Sequence, residues 1–174
     1  MLSYQSIKFA STSPTFFQTL NKRVNEYFKS NNISRNANAE MVIKTIFMFA
    51  LYLIPYSLVL TQVITGTWPL IMACVVMGFG IAGIGLSVMH DANHGAYSNK
   101  TWVNNLLGYS LNLIGGHALN WKVQHNVLHH TFTNIHEVDE DISPRWVLRM
   151  TPHTPYKSIH RFQHYYAWPL YGLM

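Results

Sequence analysis

Ten of the 174 residues are histidines, and five of them fall in two short clusters. The first is His90-Asp91-Ala92-Asn93-His94. The second is His125-Asn126-Val127-Leu128-His129-His130. On an α-helix, residues i and i+4 lie on one face, so both imidazoles of each HxxxH pair project together. That makes His90 and His94 one facing pair and His125 and His129 another. His130 turns about 100° away from His129, so one helix can serve two metals, or one metal and a neighbouring contact. Imidazole nitrogens suit iron, zinc, copper and nickel. Five candidate ligands exceed the four that a tetrahedral zinc needs, which points to two metals. The single Cys74 lies in an apolar run and excludes thiolate zinc sites and an intrachain disulfide framework. No Glu-x-x-His pair occurs, so the carboxylate-bridged bundle type of di-iron site is excluded too.

The remaining histidines, His117, His136, His153, His160 and His164, lack ligand spacing, except that His160 and His164 are four apart. That pair precedes an apolar segment and is expected to have an interfacial role. Asp91 and Asn93 can orient imidazoles, or cap and solvate the helix. Asp139 and Asp141 are expected on a solvated loop, the alternative being contact with a donor or with one of the clustered histidines.

The elements that must position these side chains follow from the charge pattern. Only 11% of residues are charged, against about a quarter in a typical soluble domain. All twelve Lys and Arg lie in residues 1–44 or 100–161, and Asp91 is the only acid between Thr45 and Asn99. The net charge of +5 is dispersed and no nucleic-acid motif is present, so no nucleic-acid partner is expected. A basic face beside anionic lipid accounts for it. Residues 1–40 hold no apolar core of a secretory signal.

Two uncharged stretches, Thr45–Thr65 and Trp68–Met89, are each long enough to cross a hydrocarbon core of about 30 Å. Trp68 fits an interfacial anchor and Pro69 a helix start. Pro55 is expected to kink the first span. Gly78, Gly80, Gly83 and Gly85 give the second a face of small residues for close packing. Only Gly66 and Thr67 separate the spans, so the stretch 45–89 reads as a membrane hairpin. Both flanks carry six basic residues and are predicted to be cytoplasmic.

Residues 1–44 read as a polar arm. It contains a loop at Ser11–Pro14, a helix over Thr15–Lys29 with a Phe16, Leu20, Val24, Phe28 stripe, and a linker over Asn31–Asn38. The helix of the second span is predicted to run on through His90 and His94. Residues 90–167 form the cytoplasmic histidine region, in which Trp102–Ile114 is apolar but too short to span. A third apolar segment begins at Trp168-Pro169 and ends with the chain at residue 174. The expected fold class is all-α, a multi-pass membrane protein with two full spans and the start of a third.

HDANH at 90–94 and HNVLHH at 125–130, placed after a two-span hairpin, resemble the first two histidine boxes of integral-membrane fatty acid desaturases. Thr131-Phe132-Thr133-Asn134 and the acidic Asp139-Glu140-Asp141 are similar to that family as well. The pattern looks most like acyl-CoA or acyl-lipid desaturases of the front-end group. The resemblance implies two iron ions, with His90, His94, His125, His129 and His130 as metal ligands. It also implies O2 as oxidant, a long acyl chain on CoA or lipid as substrate, and an external electron donor. No haem-domain motif occurs in residues 1–44, so the donor is expected to be a separate protein, a ferredoxin or a small cytochrome, attracted by a basic cytoplasmic face of Lys122, Arg145, Arg149, Lys157 and Arg161. The family's third histidine box is absent from these 174 residues. The chain is therefore expected to be an N-terminal part that binds iron weakly by itself. Trp102 and Trp121 fit interfacial anchors or walls of an acyl channel. Hydroxylation or ketolation can use the same boxes. A non-enzymatic membrane metal-binding protein would instead place its ligands at mid-span.

Overall fold

In a computed structural model, residue 7, residues 15–143 and residues 147–171 are described. Every regular element among them is helical, as the all-α reading expects. The loop at Ser11–Pro14 and Arg145 lie outside the described residues. The chain divides into two compact units, residues 11–120 and residues 121–174 with 1–10.

In the unit of residues 11–120, α1 spans Thr15–Ser30 and buries none of its residues. Phe16, Leu20 and Val24 of its apolar stripe are exposed. Helix α2 spans Ala39–Leu60. It begins earlier and ends earlier than the uncharged run 45–65. Its start is set by Asn38, whose Oδ1 accepts from Met41 N at 2.9 Å and satisfies an orphan donor of the first turn. A count of uncharged residues misses this turn because it contains Glu40 and Lys44. Its end is set by Gln62, which takes a left-handed φ of 58°, while the N–H groups of Val63 and Ile64 both return to Leu58 O. Pro55 lies within α2 without dividing it.

Gly66, with φ 85°, turns the chain into α3, Thr67–Gly83. The helix then widens into a π-helical turn at Ile84–Met89 and closes as α4, His90–Asn93. Together these make one unbroken helix, Thr67–Asn93, of 27 residues. The continuation through the first histidine cluster holds, and the π turn is an addition. Helices α2 and α3 pack on each other. At the crossing, a Cβ on Gly80 would lie 2.7 Å from Tyr52 N, and one on Gly83 would strike the Met48 side chain. The four-glycine face is thus narrower than expected: Gly78 faces open space and Gly85 reaches only Ile114. In the most apolar windows of the two long helices only 6% and 22% of residues are buried. A soluble core helix would be mostly covered.

The segment after the first cluster forms α5, Thr101–Gly108, and α6, Ser110–Leu113. Their polar and small residues Asn104, Gly108 and Ser110 are buried, and Trp102, Leu106, Tyr109 and Leu113 are exposed. Helix α5 packs on α4, and both α5 and α6 touch the π turn. This segment caps the end of the long helix. Ile84 and Val88 of the π turn are fully buried and Ala92 nearly so, so the tightest packing in this unit lies directly beneath the histidines.

In the unit of residues 121–174, a π-helical segment, Lys122–His129, leads into α8, His130–Phe132. It follows α7, Ala118–Trp121. A loop with left-handed Asn134 and Glu137 leads to single 3-10 turns at Glu140–Ile142 and Ser158–Phe162. Helix α9, Gln163–Tyr171, starts earlier than the predicted Trp168 and contains Pro169. Phe132, Val138, Asp139, Leu148 and His160 are buried. Arg149 is tied inward, donating to Thr154 O at 2.8 Å and Pro152 O at 3.0 Å.

Candidate metal centre

The first histidine pair owes its position to how the long helix stops. His94 is its C-cap and donates from N to His90 O at 3.1 Å. Gly95 follows at φ 72°, where a side chain would be strained. Gly95 N bonds Ala92 O and Ala96 N bonds Asp91 O, each at 2.9 Å. These are the two bonds of a Schellman ending. The His90 and His94 rings end 4.6 Å apart. Asp91 Oδ1 lies 3.2 Å from His90 Nδ1, an orienting contact on a half-exposed carboxylate. Asn93 has a different task. It is buried, donates weakly to Gly108 O at 3.4 Å, and lies where any Cβ on Gly108 would strike its Oδ1. Asn104 fastens the loop behind the pair, donating to Ser98 O at 2.7 Å and Gly95 O at 3.2 Å and accepting from Ser98 N at 2.8 Å. Sequence spacing marks neither Asn104 nor Gly108, whose roles exist only once α5 folds back.

The second cluster departs from the expected geometry. Its backbone is π-helical, and His130 N donates to His125 O, five residues back. The wider turn changes which imidazoles converge. His125 and His130, rather than His125 and His129 alone, come together, with their Nε2 atoms 3.3 Å apart. The Trp121 ring stacks on His125 at 4.3 Å. His129 is drawn towards the acidic loop. Its Nδ1 lies 3.0 Å from Asp139 Oδ1 and 3.1 Å from Asp141 Oδ2. The three rings still stand within 5.5 Å of one another.

Asp139 corrects the expectation of a solvated loop: its side chain is wholly buried, although Asp141 is exposed. Asn134 N donates to its Oδ2 at 2.7 Å and Asp141 N to its Oδ1 at 3.0 Å. Burial pushes its pKa up. The hydrogen bonds from His129 and from these two backbone N–H groups outweigh that and hold it below the ordinary carboxylate range. The hydrogen bond to Asp139 raises the His129 pKa above the ordinary imidazole value against the opposing effect of burial, with the Asp141 and Asp139 charges adding to the rise. His129, Asp139 and Asp141 together also have the composition of a metal-binding group. Three N–H donors already occupy the Asp139 oxygens, so Asp139 is better suited to orient His129 than to bind a metal itself. With Nδ1 engaged, Nε2 is the nitrogen left for a metal, the usual carboxylate–histidine arrangement.

The other histidines are used differently. His117 Nδ1 accepts from Asn120 N at 3.3 Å and His160 Nδ1 from Lys157 N at 3.0 Å. The His136 and His153 rings lie 5.2 Å apart. An imidazole-rich donor set with a carboxylate-fixed tautomer fits iron.

The fatty acid desaturase family model matches residues 66–174, well over half of the chain and both histidine clusters. The chain belongs to the fatty acid desaturase family. It is 40% identical to the sn-1 linoleoyl-lipid 6-desaturase of Arthrospira platensis over 90% of this chain and 42% of that protein. It is 34% identical to the sn-1 linoleoyl-lipid 6-desaturase of Synechocystis sp., over 98% of this chain and 47% of the relative. It is also 34% identical to the acyl-lipid (8-3)-desaturase of Physcomitrium patens, over 91% of this chain and 33% of that protein. The chain thus spans less than half the length of these relatives. No solved structure matches it.

Proposed function

We propose that this desaturase-family chain is part of a membrane enzyme that inserts a double bond into a long acyl chain carried by a lipid. The overall change is balanced as follows: two hydrogens leave adjacent methylenes, O2 and two electrons with two protons enter, and two waters leave. Breaking an unactivated C–H bond needs an oxidant that side chains lack, and two bound irons would supply it. His90 and His94 would contribute from the first cluster, and His125, His129 and His130 from the second. Asp139 holds His129 in one tautomer, and Asp91 steadies His90. The long helices Ala39–Leu60 and Thr67–Asn93 would cross the bilayer, leaving residues 1–44 and 90–167 in the cytoplasm. The lipid headgroup then stays in water while the chain enters an apolar space.

The electrons would come from a separate protein, a ferredoxin or a small cytochrome. Exposed Lys157 and Arg161 offer an acidic donor a basic docking face. Arg149, another basic residue near this face, is committed to its own loop. The preference for acyl-lipid over acyl-CoA is supported by the names of the three relatives, each an acyl-lipid or linoleoyl-lipid desaturase. The observation that carries the reading is His129, one of three converging imidazoles, braced through Nδ1 by a buried carboxylate. The test is expression of the full reading frame in a host lacking the product, with fatty-acid profiling with and without oxygen. New unsaturated acyl chains formed only under oxygen support the reading. A hydroxylated product moves it to a hydroxylase, and an unchanged lipid profile at full iron content removes acyl chains as substrate.

A further inference from the structure

Helix α1, Thr15–Ser30, buries none of its residues. Phe16, Phe17, Leu20, Val24 and Tyr27 are all exposed. A contiguous apolar stripe of this kind marks an interaction surface. We propose that α1 lies in the plane of the bilayer surface, with the stripe sunk among the headgroups and upper acyl chains. The proposal goes beyond the reaction, and it rests on the proposed membrane placement of α2 and α3.

The first argument is pattern. At 100° per residue, Phe16, Phe17, Leu20, Val24, Tyr27 and Phe28 fall within an arc of about 120°. No polar residue of the helix falls inside that arc. Lys22 and Lys29 project from the opposite side, and Arg23 borders the stripe. A mostly polar helix with an aromatic-rich apolar face, backed by cations, is built to lie in a membrane interface. Its 16 residues rise only about 24 Å and include charged ones, so α1 is not a further span.

The second argument is charge. Lys22, Arg23 and Lys29 less Glu26 leave α1 with a net charge of +2, three minus one. Glu26 lies 3.9 Å from Lys22 in an exposed i, i+4 pair. Arg23 is placed to run its stem along the apolar face and set its guanidinium against lipid phosphate. An anionic leaflet attracts such a helix. A second copy of α1 laid on the same stripe would bring two basic helices together.

The third argument is attachment. Helix α1 ends in a Schellman motif: Ile33 N donates to Phe28 O at 3.1 Å and Asn32 N to Lys29 O at 3.3 Å, with Asn32 at a left-handed φ of 51°. The Arg35 guanidinium lies 5.4 Å from the Phe28 ring centroid. Asn36 Nδ2 donates to Ala96 O and Ala37 N to Tyr97 O, each at 3.0 Å, and Asn38 caps α2. A tied linker thus joins the stripe to the start of α2. Glu40 and Lys44 occupy the opening turns of α2, and the uncharged run begins only after them. That charged-to-apolar step is the depth at which headgroups meet hydrocarbon, so the linker delivers α1 to the level its stripe suits. The same linker bonds the segment behind His90 and His94. An anchored α1 would therefore hold the first histidine pair at a fixed height above the hydrocarbon.

The test is site-directed spin labelling of the full-length protein in vesicles of equal parts phosphatidylcholine and phosphatidylglycerol. Cys74 and any further cysteine are replaced by serine. Single labels are attached through Leu20→Cys, Val24→Cys, Gln18→Cys and Ile54→Cys. Gln18 lies outside the stripe, and Ile54 is exposed near the middle of the uncharged run. Collision with O2, which partitions into lipid, and with a water-soluble nickel chelate reports the depth of each label. Leu20 and Val24 should favour O2 over nickel several-fold more than Gln18 does, and several-fold less than Ile54. Phe16→Gln combined with Phe17→Gln should lower the O2 preference at Val24 several-fold. A nickel preference at all three α1 sites marks an arm free in water and overturns the proposal. Labels at Leu20 and Val24 that neither collider reaches mark a stripe covered by protein, whether a second copy or another part of the chain, and overturn it too. An O2 preference at Val24 equal to that at Ile54, or one that survives the double substitution, does the same. A nickel preference at Ile54 overturns the membrane placement of α2 itself, so the two readings fail on different labels.

Discussion

The two histidine clusters share the same i, i+4 spacing and are built in opposite ways. The first is held from below: buried Ile84, Val88 and Ala92, the Schellman ending at Gly95 and the Asn93–Gly108 contact fix the backbone, while the Asp91 carboxylate beside His90 is half-exposed. The second stands on an exposed π-helical segment with no buried residue of its own. What fixes it comes from the side, a wholly buried Asp139 gripping His129. Ligand spacing therefore sets which imidazoles can meet only once the helix type is known. On an α-helix His125 pairs with His129. On this π turn its Nε2 meets that of His130, and His129 is released to a carboxylate.

The largest effect is expected where the second cluster is braced by a buried carboxylate. Asp139→Ala leaves two backbone N–H groups without their acceptor in a buried place and leaves His129 Nδ1 only the exposed Asp141 Oδ2, costing about 2–3 kcal/mol of stability. In the full-length protein it should also lower iron affinity by about 10- to 100-fold, as loss of a ligand-orienting carboxylate does. Asp91→Ala, at a half-exposed contact, should cost under about 1 kcal/mol. Thermal melts and iron titrations on the two variants check this, and equal losses would erase the contrast between the clusters.

Next in size is an attack on the packing beneath the first cluster. A methyl on Gly108 collides with Asn93, and one on Gly80 presses on the Tyr52 backbone. Gly108→Ala and Gly80→Ala should each cost about 1–3 kcal/mol by overpacking. Gly78→Ala, facing open space, should be neutral or stabilising by up to about 1 kcal/mol. Detergent melts of the three variants rank them. Gly108→Ala should also perturb the first cluster and leave the second untouched.

The smallest expected effect is on pH dependence. The raised His129 pKa contributes stability below the unfolded imidazole value and loses it as pH rises through the folded value. The lowered Asp139 pKa contributes above the unfolded carboxylate value and loses it as pH falls through the folded one. The metal-free chain should therefore gain most from this pair between about pH 4 and 6.5. Stabilisation by added ferrous iron should grow in the opposite sense, as pH rises through the raised His129 value, because the ligating nitrogen must shed its proton. Melts across pH with and without iron test both signs, and Asp139→Asn should flatten the first.

The helical architecture was legible because long uncharged runs, a Gly66 break and a charge gap are local signals. So was the passage of the second long helix into His90 and His94. The true ends of α2 were not, because Asn38 starts the helix inside a charged stretch that a count of apolar residues skips. The π turns at 84–89 and 122–129 escaped for a different reason. They answer to packing by α2, α5 and α6 and to the pull of a distant carboxylate, which helical periodicity does not encode. The burial of Asp139 is not local information, because acidic runs are usually solvated. Its burial depends on the left-handed turns at Asn134 and Glu137 that bring backbone N–H groups round it.

If the imidazoles of the two clusters hold iron and the other histidines of this chain do not, the metal content of the protein shows it. Full-length protein purified from membranes, with its iron measured by mass spectrometry, should carry two irons per chain. His117→Ala should keep them, while His94→Ala and His129→Ala should lose iron yet remain inserted in the membrane. Full iron in His129→Ala, or loss of iron in His117→Ala alone, would contradict the account.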